Sequence, residues 1–198
     1  MRLRIPLLSI VLMLCTSCNK KTDHYKLPSL SSKGNVNAVI EIPAGTNKKF
    51  EYNKKTRVFE IDKKNGKDRV IEFLPYLGNY GFIPSTYSDP KTGGDGDAMD
   101  VLVLSENVPT GTVMEIKLIG MLKLLDKGEI DYKIIAVPND TNKRIININS
   151  FNELTQDFPK VKTMIELWFL NYNKEDKAII NGWVNEKAAL EEIYKNKL

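Results

Sequence analysis

Hydrophobic positions change period twice along the chain. Residues 5–14 form an apolar run interrupted only by Ser9, and a later stretch, 19–33, is polar with Pro28 and three serines (Ser29, Ser31, Ser32). From Asn35 the pattern is strand-like. Val36–Ile42 alternates imperfectly and ends at Pro43, and residues 57–62 and 69–74 are short β-prone runs. Residues 101–104 are continuously apolar, as in a strand buried on both faces. Residues 113–125 and 130–137 are longer apolar runs split by Asp126-Lys127-Gly128-Glu129, a turn signal. The last third switches to helical spacing. Val161, Met164, Ile165, Trp168 and Phe169 predict a helix over 158–172, and Ala189, Leu190 and Ile193 another over 186–194. Strands first and helices last predict an α+β fold, with a small barrel or curled sheet under two C-terminal helices.

Composition narrows this little. The 198 residues are 42% hydrophobic and 27% charged, enough for one globular domain and its own core. Both cysteines, Cys15 and Cys18, lie near the N-terminus, so the body can hold neither a disulfide nor a cysteine zinc site. The lone His24 falls in the polar stretch, where it is expected to be an exposed tether residue.

The first residues have signal-peptide anatomy: Arg2 and Arg4, then a largely apolar run of ten residues, about half of what a membrane-spanning helix needs. Thr16-Ser17-Cys18 follows, and small residues before a cysteine resemble a bacterial lipobox. That resemblance implies cleavage before Cys18 and a lipid on its thiol, anchoring the protein at the cell envelope on the periplasmic side. The plain alternative is an ordinary signal peptide, and an unused signal would leave the protein in the cytoplasm. The expected organisation is a leader over 1–17, a lipidated Cys18 and flexible tether over 18–34, and one folded domain over 35–198.

The chemistry is concentrated in Asp95-Gly96-Asp97-Ala98-Met99-Asp100, which feeds the buried run at 101–104. Three carboxylates so close repel one another and raise one another's pKa unless a cation intervenes. Oxygen donors on a glycine-rich loop suit a hard cation such as Mg²⁺ or Mn²⁺, although a solvated acidic turn would carry the same residues. An EF-hand is excluded, because Asp100 stands where that loop requires glycine and a strand follows. Asp126, Asp131 and Lys133 form a second charged group, and Glu41, Lys49 and Glu51 a third. Residues 131 and 133, and 49 and 51, are two apart and share a strand face.

Together these segments resemble the soluble inorganic pyrophosphatases of the first family, bacterial type. The Asp95–Asp100 stretch resembles its signature. Val39-Ile40-Glu41-Ile42-Pro43, Lys49-Phe50-Glu51, Arg69, Tyr76-Leu77-Gly78-Asn79-Tyr80-Gly81, Asp126-x₄-Asp131-x-Lys133 and Asn181-Gly182-Trp183 follow in family order. There are two departures: Ala98 replaces the usual Pro or Glu, and Tyr172-Asn173-Lys174 replaces the family's Tyr-Lys. The asparagine brings no charge to phosphate, so either Lys174 reaches instead or one phosphate contact is lost.

The resemblance implies a small OB-like five-stranded β-barrel with flanking strands and two C-terminal helices, hydrolysing pyrophosphate without a covalent intermediate. It implies metal ligands at Glu41, Glu51, Asp95, Asp100, Asp126 and Asp131. It implies phosphate contacts at Lys49, Arg69, Tyr80, Lys133 and Tyr172, a supporting role for Tyr76, and Asp97 as the carboxylate that takes the water's proton. Seven carboxylates against three cations leave the site near −4 before a substrate of like charge arrives. On the order of four divalent cations, Mg²⁺ in the family, are needed to balance it. Such an acidic groove repels a nucleic-acid backbone, so no nucleic acid is expected as partner. A larger phosphoanhydride substrate stays open. The family also implies a homo-oligomer, a hexamer in bacterial relatives.

Overall fold

A computed structural model describes residues 21–173, 175 and 178–198. Cys18, the leader and Lys174 lie outside the described residues. The strands are β1 (Val36–Ile42), β2 (Phe50–Asn53), β3 (Val58–Ile61), β4 (Lys63–Lys64), β5 (Lys67–Asp68), β6 (Asn79–Phe82), β7 (Asp100–Val103), β8 (Val113–Asp126), β9 (Glu129–Ile130), β10 (Lys133–Pro138) and β11 (Ile179–Asn185). The helices are α1 (Phe151–Asp157), α2 (Pro159–Asn171) and α3 (Glu186–Lys195).

Five strands close into a ring, in the order β1-β6-β7-β10-β8 and back to β1, with β11 added along β8. Only β7 and β10 run parallel; the other pairs in the ring are antiparallel. This is the OB-like α+β architecture expected. The continuous apolar run of β7 feeds two cores: Val101 and Val103 enter one, Leu102 and Leu104 the other. Ile165, Trp168 and Phe169 of α2 join the core of Leu102, whereas Ala189 and Ile193 of α3 join the core of Val101.

The two expected C-terminal helices are present, and a seven-residue α1 precedes them, capped by the Ser150 hydroxyl on Glu153 N–H. Residues 69–74 do not form the expected strand. Lys48 and Val70 make one isolated bridge, and the chain then bends toward Tyr76. The stretch expected to be a flexible tether packs on the barrel from residue 21. Tyr25 and Leu27 lie against Val39, Tyr52 and Phe82, and Ser85 donates from its N–H to Tyr25 C=O (2.8 Å) and from its hydroxyl to Leu27 C=O (2.8 Å). His24 is therefore half-buried, edge-on to Tyr52 (5.3 Å) and Phe59 (5.0 Å), and not a free tether residue. Aromatic side chains spaced along a polar segment bury enough area to hold it down.

One irregularity in β1 sets up the site. Ile40 pairs with Gly81 and Ile42 with Tyr80, so Glu41 is the extra residue of a bulge. Strand β6 lies so close there that a Cβ on Gly81 would fall 1.9 Å from Val39 O. Gly81→Ala must push the two strands apart and is expected to cost at least about 3 kcal/mol, read as a loss of urea midpoint with little soluble protein.

Candidate active site

The bulge aims the Glu41 carboxylate at Tyr52 N–H, from which it accepts a hydrogen bond of 2.7 Å. The loop ahead of β7 is folded tightly. Asp97 N–H donates to Asp95 Oδ1 (3.0 Å), Ser88 N–H donates to Asp97 O (2.7 Å), and Gly96 N–H donates to Ser88 O (2.8 Å). Gly94 is required here, because a Cβ would lie 2.5 Å from the Ser88 carbonyl carbon. Asp126 ends β8 and pairs with Glu129 across the Lys127-Gly128 turn read from the sequence.

The parallel register sets Lys133 opposite Asp100. The buried Lys133 ammonium donates to Asp100 Oδ2 at 2.5 Å and to Asp131 Oδ1. Tyr80 donates its hydroxyl to the same Asp100 oxygen. Burial disfavours the Lys133 charge, but Asp100 and Asp131 outweigh it and hold the amine protonated. Burial raises the Asp100 pKa against the opposing pull of Lys133, and burial also raises that of Asp95.

An aromatic stack builds the opposite wall. Tyr76 lies 5.2 Å from Tyr80 and 4.6 Å from Trp168, and Trp168 stacks on Tyr172 at 4.9 Å with the rings nearly parallel. The Trp168 indole N–H donates to Leu74 O (3.0 Å), which fixes the stack. Trp168, expected only to pack its helix, thus also places Tyr172. Arg69 is tied to Asp62 (3.1 Å) and Lys49 to Glu51 (2.6 Å).

One cavity of about 290 Å³ gathers all thirteen residues singled out in the sequence, from Glu41 and Lys49 through Asp131, Lys133 and Tyr172. Asn173 and Ala98, the two departures from the family pattern, line it too, with the Ala98 methyl packed beside Tyr52 and Phe82. Tyr25, Lys54, Lys127 and Glu129 also line it and were missed. A Tyr at 25 followed by a Leu at 27 in a polar stretch was the one available signal for the first of them.

Residues 38–197 match the family model described as inorganic pyrophosphatase. The chain belongs to the inorganic pyrophosphatase family. It is 38% identical over 146 residues to the inorganic pyrophosphatase of Neisseria meningitidis serogroup B, covering 73% of this chain and 75% of that one. It is 37% identical over 164 residues to that of Campylobacter jejuni, covering 81% and 88%. The crystal structure of inorganic pyrophosphatase from Thermus thermophilus superposes with a TM-score of 0.75 at 31% identity, covering 88% and 97%.

Divalent metal dependence follows from this family membership, and the donor set fits it. Every acidic donor in the cavity is a carboxylate, which suits hard cations. Among the described residues no group of three or more acidic side chains is drawn together as a ready metal cage. Lys133 stands between Asp100 and Asp131, and the remaining carboxylates repel. Glu41 shows the strain: burial, reinforced by Asp100 and Glu51, pushes its pKa up to about 8 against the Tyr52 N–H bond. Its folded-state pKa is raised, so the folded protein holds a proton that the unfolded chain releases near 4.5. Stability of the chelator-treated protein should therefore fall as pH rises from about 4.5 to about 8. Glu41→Gln should flatten that fall, as followed by urea midpoints across the range.

Proposed function

We propose that the cavity hydrolyses inorganic pyrophosphate to two orthophosphates by direct attack of water. The observation that carries this reading is the meeting of eight carboxylates, Glu129 among them, with Lys49, Arg69, Lys133, Tyr80 and Tyr172 around one space of about 290 Å³. That volume lies at the low end for small-molecule sites, which suits a compact anion better than a nucleotide.

Asp95, Asp100 and Asp131 would hold the central divalent cations, Asp126 one on the leaving-group side, and Glu41 with Glu51 another. When bound, Mg²⁺ or Mn²⁺ would neutralise carboxylate and phosphate charge and lower the pKa of the attacking water. Asp97 removes a proton from the attacking water. The water oxygen bonds to one phosphorus while the bridging bond to the other breaks in line. Lys133 and Tyr80 hold the phosphoryl group under attack. Arg69, Lys49 and Tyr172 take up the charge that develops on the departing phosphate. Tyr76 orients Tyr80 and Trp168. Asn173 gives that end of the cavity a neutral side chain where the family has a lysine, so weaker substrate binding is expected there.

The same reading extends to location and assembly. The lipobox-like Thr16-Ser17-Cys18 supports a lipid anchor at the envelope with the leader removed. Among the described residues no helix is long and apolar enough to cross a membrane. The resemblance supports a homo-oligomer, a hexamer in bacterial relatives. Met164, Leu167 and Leu170, three apart and exposed on α2, offer apolar surface for it.

Phosphate release from pyrophosphate should require Mg²⁺ or Mn²⁺ and stop with chelator. Asp97→Asn should lower kcat by about 10²- to 10⁴-fold in a folded protein. A folded sample that releases no phosphate with either metal overturns the reading. Full-length protein expressed in a bacterium should incorporate labelled palmitate, and Cys18→Ser should abolish the label and release the protein from membranes.

A further inference from the structure

The N-terminal segment enters the active site. The Tyr25 hydroxyl donates to Asp97 Oδ1 at 3.3 Å, and the Lys54 ammonium donates to the same oxygen at 2.7 Å. Lys54 also lies 4.4 Å over the Tyr25 ring, so the two donors hold each other. The ring is fixed from behind, 4.5 Å from Phe82 and stacked on Tyr52 at 5.7 Å. The backbone on either side of it is pinned as well. His24 N–H donates to the Tyr52 hydroxyl (3.1 Å), which itself donates to Thr22 C=O (3.1 Å), and Ser85 holds Tyr25 and Leu27. Tyr52 is the residue whose N–H holds Glu41.

Asp97 needs this support. Its side chain is 62% exposed, and its own loop secures only its backbone. A short exposed carboxylate without side-chain donors samples several rotamers, and a proton acceptor must hold one.

We propose that Tyr25 is a positioning residue for catalysis, fixing the Asp97 carboxylate together with Lys54 so that Oδ2 faces the attacking water. The segment at 21–30 is then part of the catalytic unit and not a linker to it. This inference rests on the reading of Asp97 as proton acceptor.

The test is Tyr25→Phe in the full chain, which keeps the ring packing and removes only the hydroxyl. Steady-state kinetics with magnesium pyrophosphate would be measured alongside Asp97→Asn and the double variant. We expect kcat to fall about tenfold with KM within about twofold of the parent and an unchanged urea midpoint. We also expect no further loss when Tyr25→Phe is added to Asp97→Asn, since a residue acting through Asp97 has nothing left to position. A parental kcat for Tyr25→Phe beside an inactive Asp97→Asn overturns the inference and leaves the mechanism standing. So does a change in KM alone, or losses that multiply in the double variant. Full activity of Asp97→Asn instead overturns the reading of Asp97 itself.

Discussion

The site depends on one buried ammonium. Lys133 sits between Asp100 and Asp131, and it meets Asp100 because β7 and β10 pair in parallel with those two residues in register. Withdrawing a charge from water costs several kcal/mol per ion, which only close opposite charge and hydrogen bonds can offset. Two carboxylates on one ammonium, with the Tyr80 hydroxyl added, meet that condition. The arrangement lets an acidic cluster fold before any cation arrives. Burial, reinforced by the neighbouring carboxylates, still raises the pKa values of Glu41, Asp95 and Asp100.

Around that centre, local distortions in the backbone do the aiming. A regular β1 would pair Glu41 with β6, whereas the bulge frees it from the ladder and turns it to Tyr52 N–H. The bulge in turn needs the bare Cα of Gly81. On the other wall, direction comes from stacked rings: Tyr80, Tyr76, Trp168 and Tyr172 pass orientation from the barrel to the end of α2. The Asn79-Tyr80-Gly81 motif thus combines a packed amide, a site hydroxyl and a steric gap. Its asparagine is fully buried and bonds Ala44, Val108, Ser105 and Glu106.

Most of this was legible wherever the chemistry is dense. The charged groups at 41–51, 95–100 and 126–133 carry their spacing in the sequence, and all of them reach one cavity. Strand β8 and helices α2 and α3 have long periodic patterns and were read nearly to their ends. What escaped was short or set by distant contacts. Strand β2 has only four residues, and α1 has seven. Residues 69–74 have strand composition, yet Lys48 supplies one bridge partner and the chain must then turn to deliver Tyr76. No local pattern announces such a turn.

The N-terminal stretch was misread for a related reason. Its composition is that of a solvated linker, and two or three aromatic and aliphatic side chains suffice to reverse that by finding the groove beside Tyr52, Phe59 and Phe82. Average polarity measures what a segment costs to solvate, not whether a few anchors find pockets. The consequence is geometric. Tyr25 stands seven residues after Cys18, a span of at most about 25 Å for a fully extended chain. A lipid on Cys18 would therefore hold the mouth of the cavity close to the membrane surface. It would also join the anchor, through a few residues of backbone, to a hydroxyl that touches the carboxylate proposed to take the water's proton. Any force that lifts the segment from the barrel would have to break the Thr22 and His24 hydrogen bonds to Tyr52 before it withdrew that donor.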